Sequence, residues 1–134
     1  MDVVNLRDAT PFVTKDGSEI RELLAHRNSG LRNQSLAEAR LPPGAATTPH
    51  FHPRAEEIYY LLEGRGRLRL EDDQRELTAG DAAAILPGQR HQIVNIGDQT
   101  LRFLCMCAPG YEHDDTVLVD DWPAPSQDAA RRRE

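Results

Sequence analysis

The sequence predicts an all-β domain, a sandwich or barrel of short strands. From residue 35 onward, apolar or alternating runs are separated by turn signals every 8 to 14 residues, the spacing of such a fold. No four-turn helical pattern appears in that region. The run GRLRLE sets Leu68 and Leu70 against Arg67 and Arg69, the period of two that marks a strand with one face inward and one face wet.

The runs in order are QSLAEARL (34–41), closed by Pro42, Pro43 and Gly44; EIYYLLEG (57–64); GRLRLE (66–71), closed by Asp72 and Asp73; RELTAG (75–80); DAAAILPG (81–88); HQIVNIG (91–97); TLRFLCMCAPG (100–110); and TVLVDDW (116–122). IYYLL and AAAIL are apolar at every position, so these strands should be covered on both faces, by the barrel interior and by a second layer or subunit. Upstream, VVNL and PFVT read as edge strands. DGSEIRELLAHRNSG fits a helix through an Asp16–Glu19 capping box and an Ile20, Leu23, Leu24 stripe; an extra strand along the barrel is the preferred reading, because everything downstream is β. The organisation expected is an N-terminal extension over 1–33 packing on the barrel, a barrel over 34–122 and a flexible tail over 123–134, whose PAPSQDAARRRE is too polar to order itself.

At 134 residues the chain suits one domain. Apolar residues make up 39% and charged residues 28%, and no apolar run approaches the roughly 18 residues that cross a bilayer. The start, MDVVNLRDATPF, lacks a basic segment followed by an apolar one, so no secretory signal is read and a cytoplasmic location is expected. Net charge is −6, and the 16 basic residues, all arginine except Lys15, are scattered rather than set in a stripe; neither nucleic acid nor membrane is an expected partner. Cys105 and Cys107 form C-x-C within one strand, too close to bridge easily, and are expected as reduced thiols.

His50 and His52 are two residues apart. On one strand they would share a face with Cα atoms about 6.5 to 7 Å apart, close enough for both imidazoles to meet one ion. An unbroken strand would also put Glu56, not Glu57, on the histidine face. Pro53 argues against an unbroken strand, so Pro53-Arg54-Ala55 is read as a hairpin loop after which parity resets.

The wider pattern is Gly44-x5-His50-x-His52-x4-Glu57-x6-Gly64, then, after 15 residues, Gly80-x5-Leu86-Pro87-Gly88-x2-His91-x3-Asn95. It resembles the two motifs of small single-domain cupins, with Leu86 standing where the second motif has proline. The resemblance implies an antiparallel jelly-roll barrel with one divalent metal at its mouth, held by His50, His52, Glu57 and His91. Imidazoles with a carboxylate suit Mn, Fe, Co, Ni, Cu or Zn, and four donors on an ion that accepts six leave two open positions. Manganese or iron is the favoured ion. A centre of about +1 charge favours an anionic or enolisable ligand.

The motif spacing to Gly64 selects Glu57, with Tyr59 and Leu61 on its inward face. His91 and Ile93 should line the barrel while Arg90 and Gln92 face out, and Asn95 is read as a structural hydrogen-bonding residue. Cys105 and Cys107 share a face with Leu101 and Phe103. Tyr59, and His113 in the loop GYEHDD as a proton shuttle, are the candidate catalytic residues. The function expected is a metal-dependent enzyme acting on a small carboxylate or enolisable metabolite, of dioxygenase or decarboxylase type; the alternatives are a sugar or sugar-phosphate isomerase and a non-catalytic metabolite-binding module. The doubly apolar strands predict a homodimer.

Overall fold

Strand alternation translates directly into burial, most plainly over EEIYYLLE, where Glu57, Tyr59 and Leu61 are buried and the residues between them are exposed. In the computed structural model, which describes residues 1–124, the strands are β1 Phe12–Val13, β2 Glu19–Leu24, β3 Ser35–Leu41, β4 His50–Phe51, β5 Glu56–Glu63, β6 Arg65–Leu70, β7 Asp73–Thr78, β8 Ala82–Ile85, β9 His91–Asn95, β10 Leu101–Ala108 and β11 Val117–Leu118. They form two antiparallel sheets, ordered β1-β2-β3-β10-β5-β8 and β11-β4-β9-β6-β7. The fold is therefore the antiparallel double-sheet barrel that the motifs implied. Its core draws on both sheets: Leu41, Leu61, Leu101 and Phe103 from the first meet Leu68, Leu77 and Ile93 from the second. Each such side chain, taken fully out of water, contributes roughly 1.5–3 kcal/mol.

Register does most of the positioning. His50 on β4 lies opposite His91 on β9, and Glu57 on β5 lies opposite Cys107 on β10. Only glycine fits at position 64: its φ is +90°, and a Cβ there would stand 3.0 Å from the Leu101 backbone. This close approach lets β5 turn into β6 against the end of β10.

Several expectations need correction. VVNL is not a strand; the chain there leads into a short 3-10 turn at Leu6–Asp8, capped by the Asn5 side chain. For residues 16–26 the preferred reading holds and only the helical alternative falls: they contain strand β2, paired with β3, and Asp16 caps a tight turn, its Oδ1 accepting from Ser18 N at 2.9 Å. The Pro53-Arg54-Ala55 loop is not a hairpin: β4 belongs to one sheet and β5 to the other, so it carries the chain between sheets. His52 lies just beyond the end of β4, because only His50 and Phe51 are in strand. Arg69, expected in water, is 9% exposed, since the Trp122 ring stacks 3.6 Å from its guanidinium. TVLVDDW yields a strand of two residues only. Within the protomer, β5 is covered on one face: Ile58, Tyr60 and Leu62 remain exposed. Most of the expected tail, 125–134, lies outside the described residues.

Candidate metal centre

Three strand ends converge at one end of the barrel. His50 comes from β4, His91 from β9 directly beside it, and His52 from the turn after β4, whose carbonyl is held by Gly88 N at 2.8 Å. That bond ties the first histidine pair to the turn preceding His91. The imidazole centroids of His50 and His91 are 4.2 Å apart, those of His50 and His52 5.2 Å, and those of His52 and His91 5.5 Å. One ring nitrogen from each histidine lies within 4.8 Å of those of the other two, the only such group among the described residues.

Each ring is locked through Nδ1 to a backbone carbonyl: His50 to Thr48 at 2.7 Å, His52 to Asp115 at 3.0 Å and His91 to Gln89 at 2.9 Å. A carbonyl only accepts, so each Nδ1 is the donor and each Nε2 presents a lone pair to the interior. Glu57 Oε1 stands 3.4 Å from His52 Nε2 and 3.5 Å from His91 Nε2. Both Glu57 Oε1 and His91 Nε2 are buried without a hydrogen-bond partner among the described residues. Buried acceptors facing one another are costly unless something positive lies between them. Three imidazoles and a carboxylate with tied outer atoms are a donor set that fits a divalent transition metal.

The other carboxylate oxygen of Glu57 is also held. Cys107 Sγ donates to Oε2 at 3.2 Å, leaving Oε1 to face the imidazoles. Burial opposes ionisation of Glu57, but His52 and His91 more than offset it and hold its pKa well below the usual carboxylate range. Burial, and secondarily the neighbouring His91, push His50 down to about 4. For His52, burial works in the same direction, yet Glu57 overrides it and the pKa is raised; without a metal, a proton on His52 is the available substitute cation. Burial, reinforced by Glu57, raises Tyr59, Cys105 and Cys107, so all three stay protonated.

A narrow pocket with a cavity volume of about 40 Å³ leads to His50, His52 and Glu57. Phe12, Ile20, Tyr59, Phe103 and Tyr111 form its apolar and aromatic wall, Cys105 and Cys107 line it, and no lysine or arginine among the described residues does. Asp16 and Glu22, from the β1–β2 region, add two carboxylates.

The structure brings His50, His52, Glu57 and His91 together and places Tyr59 beside them, its ring centroid 6.0 Å from that of His91. His113 sits exposed in the 3-10 turn His113–Asp115 and does not line the pocket. The same segment contributes instead through Asp115, which is 4% exposed. Its backbone holds His52, and its carboxylate accepts from Arg54 N and Ala55 N, both at 3.0 Å. Asp115 thus braces the turn between His52 and Glu57, and sequence reasoning missed it because partners 60 residues apart leave no local pattern. Asp16 was missed as a pocket residue because its turn chemistry gives the same local pattern wherever the turn points.

A double-sheet barrel with histidines from two strands and a glutamate gathered at one mouth defines a class, and the sequence places the chain within it: it belongs to the cupin family, its residues 37–107 matching the cupin domain. It is 48% identical over 112 residues to an uncharacterised protein of Methanocaldococcus jannaschii, covering 82% of this chain and 88% of that protein. Among solved structures it is similar to the polyketide cyclase RemF from Streptomyces resistomycificus, with TM-score 0.77 and 26% identity over 100% of this chain and 94% of that one. It is also similar to a predicted oxalate decarboxylase from Thermotoga maritima, with TM-score 0.71 and 29% identity over 80% of this chain and 98% of that one.

Proposed function

We propose that this cupin is a metal-dependent enzyme acting on an enolisable carbonyl compound or small carboxylate, with His50, His52, Glu57 and His91 holding one divalent transition metal, manganese or iron. The observation that carries this reading is the convergence of His91 Nε2 and Glu57 Oε1, buried and unpartnered, with the other two imidazoles at the end of an open pocket. When bound, such an ion supplies Lewis acidity toward a carbonyl or carboxylate oxygen. The chain itself supplies orientation and exclusion of water. Tyr59, kept protonated by burial, is a neutral donor for a substrate oxygen, and Phe12, Ile20 and Phe103 shelter an apolar body.

Within the two substrate classes, the lining favours the enolisable one. Among the described residues it carries Asp16 besides Glu57 and no basic side chain other than histidine, Glu22 being paired with Arg27, which disfavours a dianion such as a small dicarboxylate. Similarity to a polyketide cyclase supports the same class.

Metal analysis of the purified protein tests the reading. Stoichiometric manganese or iron, or uptake of either by metal-free protein, is expected; protein that takes up no divalent transition metal would sink it. Oxygen uptake across carboxylates and diketones then separates oxidation from redox-neutral chemistry.

We also propose that the exposed row of Ile58, Tyr60 and Leu62, with Leu86 55% exposed beside it, is covered by a second copy of the chain. Sedimentation as a monomer at micromolar concentration would refute the dimer. No helix among the described residues is long and apolar enough to cross a membrane, and the free thiols Cys105 and Cys107 support a reducing, cytoplasmic setting.

A further inference from the structure

The N-terminal region outside the matched cupin segment sends one side chain to the centre. Asp16 Oδ2 lies 3.4 Å from His50 Nε2, and the Asp16 side chain is 14% exposed. Its other oxygen is fully committed: Oδ1 accepts from Thr14 Oγ1 at 2.7 Å, Ser18 N at 2.9 Å and Ser18 Oγ at 2.7 Å. The backbone is anchored too. Thr48 N donates to Asp16 O at 2.7 Å, and the carbonyl of the same Thr48 holds His50 Nδ1. One residue thus fixes Asp16 and His50 relative to each other.

This contact has no donor. With Nδ1–H of His50 spent on Thr48 O, Nε2 is a lone pair, and it faces an anionic oxygen. Two acceptors at 3.4 Å repel unless a cation lies between them. The separation equals that of Glu57 Oε1 from His52 Nε2, also 3.4 Å, and about 3 Å is the spacing of adjacent donors on an ion whose ligand bonds are about 2.1 Å. Asp16 therefore faces His50 on an independently built support, contacting one imidazole where Glu57 contacts two, His52 and His91.

We propose that Asp16 is a fifth protein ligand of the metal, contributed by the β1–β2 turn through Oδ2. The inference rests on the reading of His50, His52, Glu57 and His91 as a metal centre. Five protein donors on an ion that accepts six leave one position for a substrate donor, where four would leave two. Two carboxylates also cancel the charge of a divalent ion, so the centre suits a neutral substrate. Both consequences favour polarisation of a single carbonyl over chemistry that needs two substrates side by side.

Asp16→Asn is the test, since an amide oxygen can keep the three turn hydrogen bonds while the NH₂ group cannot ligate; Asp16→Ala is the second variant. The probe is Mn(II), with bound water counted by pulsed EPR in D₂O and affinity measured by competition with a chelator. One bound water is expected in the wild type and two in each variant, with Mn(II) affinity lowered about 10- to 100-fold. Two waters in the wild type, or variants that match it in water count and affinity, overturn the role of Asp16 and leave the four-ligand centre standing. A wild type that binds no Mn(II) or other divalent transition metal overturns the centre and this inference together.

Discussion

Two buried polar groups on the same strand, His91 and Asn95 of β9, show what separates a site from a scaffold. Both are almost completely enclosed, at 0% and 2% exposure. Asn95 is fully served: its Nδ2 donates to Leu41 O at 2.9 Å and Gln99 O at 2.8 Å, and its Oδ1 accepts from Gly97 N at 2.9 Å. His91 has its Nδ1 satisfied and its Nε2 left without a partner, beside an equally unpartnered Glu57 Oε1. At the Asn95 end the fold supplies every partner and thereby stitches together the turn after β9 and the end of β3. At the His91 end the fold holds the outer atoms and leaves the inner ones without a partner among the described residues, and a bound cation is the partner we propose.

The sharpest way to break this contrast is to remove one member from each end. His91→Ala should lower affinity for the divalent metal on the order of 10³-fold, equivalent to about 4 kcal/mol, while circular dichroism still reports a folded barrel; chelator competition measures the first. Asn95→Ala should do the reverse, lowering the free energy of unfolding in urea by about 3 kcal/mol because buried carbonyls lose their donors, with metal stoichiometry unchanged. If either substitution moved both quantities equally, the division between the two ends would not hold.

A smaller effect is expected from pH in the metal-free protein. His50 takes its proton near pH 4 when folded and near 6.5 when unfolded. Between these values the unfolded chain binds more protons, so stability is fully present above the higher value and falls as pH drops toward the lower. Glu57, held below its ordinary 4.5, adds a loss of the same sign in more acidic solution. His52, raised by Glu57, contributes with the opposite sign, and its share is lost as pH rises past its folded pKa. Urea titrations of metal-free protein should show a net loss of about 2 kcal/mol between pH 6.5 and 4; a flat or rising profile would contradict the assignment of a neutral, buried His50.

The smallest expected change concerns the thiol behind Glu57. Cys107→Ala frees Oε2 to rotate and should weaken metal binding about 10-fold, equivalent to 1.4 kcal/mol. Cys107→Ser, which keeps a donor, should restore most of it, a rescue that a purely packing role for Cys107 would not produce.

Much of this architecture is legible in the residues. Alternation in EEIYYLLE and GRLRLE gives strands, and Pro53 gives the break that turns Glu57 inward where unbroken parity would have selected Glu56. The glycine and histidine spacing points to the family. Pattern failed where contacts are distant. Arg69 reads as a wet alternate of Leu68 and Leu70, and only the return of the chain brings Trp122 over it. GYEHDD offers His113 to the eye, while Asp115 is the residue that braces the turn after His52. TKDGS reads as turn chemistry and says nothing about facing His50. Sequence by itself determined most of the strands and turns, because these depend on neighbours a few residues away, and its resemblance to the cupin motifs implied the candidate ligand set. The tertiary structure alone decided that Asp16 also faces the histidines and which atoms are left unpartnered among the described residues, because sheet register and the crossing between sheets place β2, β4, β5, β9 and β10 around one point.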